Sequence, residues 1–477
     1  MSTESQTFAV KRAEVEFHNF ASLGEPEYAI SVYAEENERR GGLIAKYLDF
    51  IGPLTPFLEV GANAGHTSYL LANQFGAQGF ALDLSADALR YGAALMDRWN
   101  LTEAPVRVAG DALHLPFRDG SLQFVMTFQT LSQFLDIESV FAEIHRVLAP
   151  GGVFLFAEEP LRRMLSLRLY RASYYRTMKP WERKLYDWGL LGYLVRDVIG
   201  AEQEESFGIR QNHKMYLHHW RALIDKYFAE SRYDLFVPQR GWGERWMKRL
   251  GVRLDPNRSE WRAARLLGGT IAAFCRKAGG PDEPFLRIER FEEYLRCPDC
   301  GGGFRRDANE TLVCHACGYE APQEGGVYTV LRSEDRRELY PGDREDIIDF
   351  SQPGHETRLG AGWHQLEGQF GGKYRWMTGA GFATLRPAHQ GPQRLRIRGH
   401  VHERSIAKGV VRIAVRVNGS AVGQWTRDRS GLFVLEADLP PAPQYDVEIQ
   451  ASPVWQALPD RRELTLHFGL IRLIPRA

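Results

Sequence analysis

The sequence has no net charge of either sign and no long hydrophobic run. Lysine plus arginine and aspartate plus glutamate both number 60, so the formal net charge is zero. This balance provides no general attraction for nucleic acid or for an anionic membrane. No stretch of 18 apolar residues occurs, and no charged-then-apolar leader follows Met1, so we expect neither a membrane-spanning helix nor a signal peptide. We therefore expect a cytoplasmic protein.

Cysteine is scarce as well, with 5 residues in a chain of 477. Four of them form two Cys-x-x-Cys pairs, and Cys275 lies alone in an apolar run. This spacing suits a metal in a reducing compartment better than a disulfide framework. The chain is longer than one hydrophobic core supports, so we expect a multidomain protein with two or three domains.

Residues 57–83 have the pattern of a βαβ unit. Two mostly apolar runs, 57–60 and 79–83, flank a segment with helical periodicity. Gly61 and Gly65 allow a sharp turn and a close backbone approach to a ligand at the N-terminus of the helix. Asp83 ends the second run, where an acceptor-only carboxylate matches the two hydroxyl donors of a ribose. A glycine turn alone is weak evidence, because any tight strand-to-helix connection uses glycine.

The segments that follow continue the alternation of strand and helix. The pattern predicts strands at 106–112, 122–128, 153–157, 232–237 and 270–274, with a helix ending over 144–150 and another over 217–228. In this order the first 280 residues resemble the class I S-adenosylmethionine-dependent methyltransferases. The resemblance implies an α/β Rossmann-like sheet whose seventh strand is antiparallel.

The glycine loop of that family corresponds to residues 59–65, with Asn63 in place of its middle glycine. Asparagine tolerates positive φ better than other non-glycine residues. The resemblance implies that the loop and Glu59 hold the amino acid end of S-adenosylmethionine. It further assigns the ribose to Asp83, the adenine to Asp111 with Ala112, and the methionine moiety to Phe128 with Gln129. The residues expected to bind the cofactor are Glu59, Gly61, Asn63, Gly65, Asp83, Leu84, Asp111, Ala112, Phe128 and Gln129.

The remaining parts of a transfer site are less sharply indicated. Glu158, at the end of the fifth strand, and His213 are the candidate catalytic bases. The alternatives are that Glu158 caps the next helix and that His213 is a packed helix-entry residue. Residues 1–50 have the composition of a helical lead-in. In many methyltransferases of the fold that this sequence resembles, a tyrosine of an N-terminal helix lies over the cofactor. Tyr33 either has that role or is an ordinary helix-face residue.

A helical insertion over about 160–230 is rich in arginine, tyrosine and tryptophan. Three structures suit this composition: a cap over the substrate, an interfacial helix at the inner face of a membrane, and a packed helical hairpin with a solvated face. The interfacial alternative would make the cytoplasmic protein peripheral at the membrane.

Residues 281–335 are expected to form a separate zinc ribbon. Two knuckles contribute Cys297, Cys300, Cys314 and Cys317, which place four thiolates around a structural Zn²⁺, and so small a unit needs such a metal to fold. The segment resembles a small zinc-ribbon family that accompanies and activates tRNA and protein methyltransferases. A redox role for one pair is the alternative, and His315 is expected to be a spacer.

Residues 336–353 suggest a linker, and 354–477 an all-β domain of jelly-roll type, because short alternating strands follow one another between turn signals. This part resembles accessory sandwich modules of bacterial surface-polysaccharide enzymes. Trp363 and Trp376 either stack on a sugar or belong to the core.

Two acceptors compete on the sequence alone. The zinc ribbon points to RNA or protein, whereas the β domain points to a glycan or glycan precursor, with a polysaccharide-assembly enzyme as a further partner. The zero net charge makes nucleic acid the weaker alternative. We expect O-methylation of a sugar; another small molecule as acceptor and an inactive scaffold are the other hypotheses.

Overall fold

A computed structural model describes Lys11 and residues 26–161, 215, 217–236, 269–280, 288–340, 344–350, 354–368, 373–388, 390–456 and 461–476. Most of the expected helical insertion, including His213, lies outside these residues. The described residues from Ile30 to Ser333 form one unit, together with Lys11, and those from Glu334 onward belong to a second. Among the helices described, none combines the length and the apolar character needed to cross a bilayer.

The first unit alternates strands and helices up to residue 276. Its elements are α1 Pro26–Lys46, α2 Leu48–Ile51, β1 Phe57–Val60, α3 His66–Gln74, β2 Gly79–Asp83, α4 Ala86–Tyr91, α5 Ala93–Arg98, β3 Val106–Ala109, β4 Leu122–Phe128, α6 Ile137–Val147, β5 Leu148–Leu161, α7 Leu217–Tyr227, β6 Glu230–Phe236 and β7 Gly269–Arg276. Five short strands follow, namely β8 Phe304–Arg306, β9 Leu312–Cys314, β10 Glu320–Ala321, β11 Gln323–Glu324 and β12 Val327–Thr329.

The large sheet has the strand order β11-β12-β3-β2-β1-β4-β5-β7-β6. Strands β1 to β5 are parallel to their neighbours among themselves, whereas β7 is antiparallel to both β5 and β6. The predicted Rossmann-like α/β sheet with an antiparallel seventh strand is therefore confirmed. The order reverses at β1, which is where ligands bind in open parallel sheets.

The central strands β1, β2 and β4 of this sheet are buried on both faces. Along β1, Leu58 and Val60 join one hydrophobic cluster, and Phe57 joins a second, because successive strand side chains point to opposite faces. Helix α6 covers the first cluster with a stripe that recurs at helical spacing: Ile137, Val140, Phe141, Ile144 and Val147 are all buried. This two-sided burial explains why the strands read as nearly continuous apolar runs.

Several boundaries differ from the sequence-based expectation: β3, expected over 106–112, ends at Ala109, and β5, expected over 153–157, spans Leu148–Leu161. The helix predicted to end over 144–150 ends at Val147, and β5 begins at once with Leu148. Leu148 pairs with Leu122 of β4, and a register irregularity follows. Pairing with a neighbouring strand therefore outweighs the local glycine signal at Gly151 and Gly152.

The cysteine-rich segment is predicted from the sequence to be a separate unit over 281–335, whereas its described residues up to Ser333 belong to the first unit. Strand β12 pairs in parallel with β3, so this segment lengthens the methyltransferase-like sheet at its edge. Val330 N donates to Ala109 O at 2.8 Å, and Arg118 N donates to Tyr294 O at 2.9 Å. Its apolar residues also belong to the cluster that covers β1 and β4. Only β8, β9 and β10 form a small sheet of their own.

The second unit is mostly antiparallel β structure. Its elements are α8 Ser333–Leu339, β13 Ile347–Asp349, β14 Trp363–Glu367, β15 Tyr374–Met377, β16 Ala380–Leu385, β17 Gln393–Val401, α9 Glu403–Ala407, β18 Val411–Val417, β19 Ser420–Arg427, β20 Gly431–Leu439, β21 Tyr445–Ser452 and β22 His467–Pro475. The expected linker over 336–353 contains the end of α8 and all of β13, which pairs with β22. The described residues of that stretch, 336–340 and 344–350, therefore contain regular structure.

Two sheets make up this unit. One has the order β14-β15-β22-β17-β20, with β13 also paired to β22, and the other has the order β16-β21-β18-β19. Inward side chains from both, such as Ile397 of β17 and Ile413 of β18, form one hydrophobic cluster. The predicted β18–β19 hairpin turns at Asn418 and Gly419, whose φ angles of 49° and 78° suit a type I′ turn. The jelly-roll topology stays a prediction.

Of the two tryptophans proposed to stack on a sugar, Trp376 is buried and Trp363 is half-buried. Trp376 is 7% exposed and packs edge-on against Trp455 at 5.6 Å between ring centroids. Trp363 donates from Nε1 to Phe382 O at 2.7 Å and packs against the shared cluster. The core role is thus the one that the contacts of both rings support.

A pair of histidines beside Trp376 makes the stability of this unit dependent on pH. His467 Nε2 lies 3.1 Å from His400 Nδ1, and His467 is buried. Burial lowers the pKa of His400 to about 4 and also lowers the pKa of His467. Because the unfolded chain binds protons near pH 6.5, their stabilising effect is complete above that pH and is lost as the pH falls toward 4.

We expect His400 alone to lower the free energy of unfolding of this unit by on the order of 1 to 2 kcal/mol between pH 7 and pH 5, and His467 to add to that loss. Denaturant titrations at each pH, monitored by hydrogen exchange of residues 393–401 and 467–475, would measure this free energy. His400→Gln should flatten the dependence, whereas His364→Gln on another strand should leave it. An equally steep dependence in the His400 variant would contradict the assignment.

Candidate cofactor and metal sites

The glycine loop lies at the carboxyl end of β1, where the strand order of the sheet reverses. Gly61 and Asn63 have φ angles of 71° and 52°, a region that asparagine tolerates better than most residues. A Cβ atom at Gly61 would lie 2.4 Å from the side chain of Thr130, so only glycine fits there. Gly65 has φ 74° and precedes helix α3. The loop thus presents backbone to the crevice.

Asp83, the expected ribose acceptor, is fixed at the end of β2. Its Oδ2 accepts from Asn63 N at 2.7 Å, and its Oδ1 accepts from Ser85 N at 2.8 Å. These two bonds join the glycine loop to the end of the neighbouring strand, and the side chain is buried. An ionised carboxylate only accepts hydrogen bonds, which suits a pair of hydroxyl donors. Leu84, directly after it, is half-buried.

Glu59 has a supporting position beneath the loop. Its Oε2 accepts from Ser68 N at 2.9 Å and from Ser68 Oγ at 2.6 Å, so it caps the first turn of α3. Burial raises its pKa, although His66, Ser68 and Arg40 oppose this. Glu59 therefore orients the helix that follows the loop.

The expected adenine site lies at the end of β3. Asp111 Oδ1 accepts from Leu113 N at 2.9 Å, and its Oδ2 lies 2.8 Å from Lys11 Nζ and 3.1 Å from His114 Nδ1. Although burial raises it, the contacts with His114, Lys11 and Leu113 N lower the pKa of Asp111 to about 2. The carboxylate is therefore ionised at neutral pH. Ala112 beside it is buried.

The expected methionine side is formed by the ends of β4 and β5. Gln129 and Glu158 have left-handed φ angles of 56° and 65°, and Gln129 Nε2 donates to Glu158 Oε2 at 2.8 Å. Arg39 Nε donates to Glu158 Oε1 at 2.6 Å, and Arg40 donates to Glu158 Oε2 at 3.0 Å. Although burial raises it, Arg40 and Arg39 lower the pKa of Glu158. This makes Glu158 a weak proton acceptor, and its catalytic role stays a prediction.

Helix α1 contributes Tyr33, which the sequence analysis named, and also Asn37 and Arg40, which it did not. Tyr33 donates to Asn63 Oδ1 at 3.3 Å, and its ring stacks on that of His66 with 4.4 Å between centroids. Asn37 donates to His66 O at 2.9 Å. Within the described residues, Arg40 Nε and His66 Nδ1 are buried without a hydrogen-bond partner. A single sequence offers only helical spacing of Tyr33, Asn37 and Arg40 as a signal for this set.

Another buried carboxylate, which the sequence analysis did not assign, lies next to Glu158 in the chain. Glu159 is fully buried and accepts from Leu131 N at 2.8 Å and Ser132 N at 3.0 Å. Burial raises its pKa to about 7 despite these bonds. It holds the turn that follows Gln129, so neighbouring residues Glu158 and Glu159 fix that turn from both sides.

The four cysteines lie together. Their sulfur atoms all lie within 4.8 Å of one another, with 3.6 Å from Cys297 to Cys317 and 3.5 Å from Cys300 to Cys314. Four thiolates at about 2.3 Å from one Zn²⁺ would be roughly 3.8 Å apart in a tetrahedron, so the set fits. Ala316 N and Gly302 N point at Cys314 and Cys300, each at 3.4 Å.

Comparison with known proteins bears on the sheet and its loop. Residues 58–156 match the family model described as a methyltransferase domain. Norajmaline N-methyltransferase of Rauvolfia serpentina is 32% identical over 95 residues, 20% of this chain and 32% of that protein. Malonyl-[acyl-carrier protein] O-methyltransferase of Geobacter sulfurreducens is 34% identical over 102 residues, 21% of this chain and 37% of that protein.

Among solved structures, phosphoethanolamine N-methyltransferase 2 of Haemonchus contortus, in complex with S-adenosyl-L-methionine, matches 50% of this chain and 52% of its own with 16% identity and a TM-score of 0.31. The chain spans about a third of the length of the two curated relatives. Its residues 58–156 are therefore similar to methyltransferase domains.

Proposed function

We propose that this chain transfers a methyl group from S-adenosylmethionine to a hydroxyl of a sugar, in a bacterial surface polysaccharide or in its lipid-linked or nucleotide-linked precursor. One observation carries the transferase assignment: the glycine loop, with Asn63 at φ 52°, meets the Asp83 carboxylate at 2.7 Å where the strand order reverses. That arrangement suits a nucleoside with a free ribose.

The protein's own contribution is binding and positioning. When bound, S-adenosylmethionine supplies an electrophilic methyl group on its sulfonium. Asp83 would accept from the ribose hydroxyls, Asp111 and Ala112 would hold the adenine, and Phe128 with Gln129 would border the methionine moiety. Since the displacement is in line, most of the rate comes from holding the acceptor at the right distance. Glu158 and His213 remain the candidate bases.

The four-cysteine cluster is proposed to hold a structural Zn²⁺. All four protein ligands would be thiolates, which leaves no open position for chemistry. Because β12 extends the methyltransferase sheet, the ion would stabilise this edge of the transfer domain. The likeness to ribbons that activate methyltransferases agrees with that placement.

The sugar acceptor rests on the second unit and on the charge. Two antiparallel sheets that share one cluster suit an accessory module for a glycan chain or for a polysaccharide-assembly enzyme. A formal net charge of zero argues against a broad RNA surface. Attachment at the inner face of a membrane is proposed only through the arginine-rich segment, which lies outside the described residues. Another small molecule, a protein and RNA are the competing acceptors.

Calorimetric titration with S-adenosylhomocysteine tests the transferase assignment. We expect dissociation constants in the micromolar range for the full-length, zinc-loaded protein. If the folded protein binds neither this product nor S-adenosylmethionine, the domain is an inactive scaffold for its C-terminal part.

The acceptor is tested by incubation with methyl-labelled S-adenosylmethionine. Cell-envelope glycan, total RNA and soluble protein from a strain lacking the gene would serve as separate acceptors. We expect label in the glycan fraction. Label in RNA or protein, with none in glycan, would overturn the sugar assignment while leaving the transferase intact.

A further inference from the structure

One guanidinium in helix α1 contacts three elements of the cofactor crevice. Arg40 donates to Glu158 at the end of β5 at 3.0 Å and to Thr67 Oγ1 in α3 at 3.0 Å. Its Cζ lies 4.4 Å from the ring centroid of Phe128, at the end of β4. A planar group with five donors and an aromatic-facing surface can make these contacts together.

We infer that Arg40 is a positioning residue. Through its contact with Glu158 it fixes the position of Phe128 and Gln129 beside the methionine part of the cofactor, and these two residues are called the wall below. The inference rests on the proposed function. It gives Glu158 a role as the partner of Arg40 in place of the base expected from the sequence. The wall would then depend on α1, although α1 lies outside the family match.

The burial of this pair makes its contacts consequential. Arg40 is 5% exposed and Glu158 is 6% exposed, and Glu36 forms a second ion pair with Arg40 at 3.3 Å. Removing one member of a buried ion pair leaves its partner less well compensated in a low dielectric. The exposed end of Arg39 is then the cation that remains for Glu158.

Backbone conformation points to the same wall. Gln129 and Glu158 both have left-handed φ angles, which non-glycine residues keep only where their surroundings over-determine them, often at functional sites. Gln129 N donates to Ala157 O at 3.1 Å, and its side chain donates to Glu158. Arg40, in helix α1, also donates to Glu158. Without Arg40, Glu158 loses this contact, and Gln129 is then hydrogen-bonded to a less firmly held residue.

The test is a double-mutant cycle on the full-length, zinc-loaded protein. Arg40→Met and Glu158→Gln should each weaken S-adenosylhomocysteine binding about tenfold or more, measured by calorimetry. The double variant should bind more tightly than the product of the two losses implies, because it buries no unpaired charge. Arg40→Lys should be intermediate, since an ammonium cannot contact Glu158, Thr67 and Phe128 together.

Hydrogen exchange of residues 126–133 separates positioning from simple stability. We expect faster exchange there in the Arg40→Met protein at a temperature where it is fully folded. Glu35→Gln, on the exposed side of the same helix, is the matched control and should change neither quantity. If the parent binds the ligand and Arg40→Met lowers only the melting temperature, or if Arg40→Lys matches the parent, the inference fails. If the parent itself does not bind, the proposed function fails first.

Discussion

Replacing Asp83 by asparagine is expected to weaken S-adenosylhomocysteine binding by roughly 10- to 150-fold, the effect of losing hydrogen bonds to a charged group worth about 1.5–3 kcal/mol. The carboxylate accepts from Asn63 N and Ser85 N, and the ribose hydroxyls are expected to donate to the same two oxygens. An asparagine amide has only one oxygen, so it cannot accept from the loop, from Ser85 and from the ribose together. Calorimetry at equal zinc content would measure the loss.

Asp97→Asn is the matched control for this experiment. Asp97 lies exposed at the end of α5, so the same chemical change there should leave the dissociation constant within about twofold of the parent. Circular dichroism would establish that the Asp83 variant is folded. An unchanged affinity in a folded Asp83→Asn protein would remove this residue from the ribose site.

Replacing Cys314 by serine is expected to release the metal and to unfold the ribbon. Elemental analysis should give one zinc per chain for the parent and well below one for the variant. Structural zinc sites in small units contribute apparent free energies of about 10–16 kcal/mol in isolated peptides, so residues 297–317 should lose their protection from hydrogen exchange. The melting temperature of the first unit should fall by several degrees, since about 1 kcal/mol shifts a domain of this size by roughly 2–4 °C.

The loss should also reach the cofactor. Val330 N donates to Ala109 O, two residues before Asp111, and Arg296 N donates to Pro116 O in the loop that follows Asp111. If the cysteine-rich segment unfolds, both hydrogen bonds at the expected adenine site are lost, so we expect weaker S-adenosylhomocysteine binding. The same weakening is expected when a chelator removes zinc from the parent. Added zinc should then restore binding in the parent and not in the Cys314→Ser protein.

His315→Ala is the control, because His315 is exposed between two ligand cysteines and should be dispensable. Full zinc content with a parental melt in the Cys314→Ser protein would contradict the four-thiolate assignment. Zinc loss in the His315 variant would make that histidine a ligand.

Most elements of the first unit could be predicted because their information is local. Apolar runs next to turn residues encode strands such as β4, predicted and observed as Leu122–Phe128. The two Cys-x-x-Cys pairs likewise predict that four cysteines come together, since ligand spacing within each pair is a property of a few neighbouring residues. The second unit shows the same agreement in β18, whose period-two alternation matches a half-buried strand.

Contacts between distant segments required the tertiary structure. Strand β12 is too short to have a periodicity of its own, and its partner β3 lies far earlier in the chain, so nothing local predicts that the ribbon joins the large sheet. Arg40 and Glu158 are 118 positions apart, and a charged residue on a helix usually has a solvated face. Burial also decided for Trp376, because aromatic composition is the same for a sugar platform and for a core.

The sequence by itself determined the order of strands and helices in the first unit, its glycine loop with Asp83, and the two cysteine pairs, because each depends on residues that are neighbours in the chain or repeat at the period of one element. Only the tertiary structure decided that the cysteine-rich segment forms an edge of the large sheet and that Glu158 pairs with arginines of α1. Such pairings follow from how complete elements pack together, and single-sequence periodicity contains no information on that step.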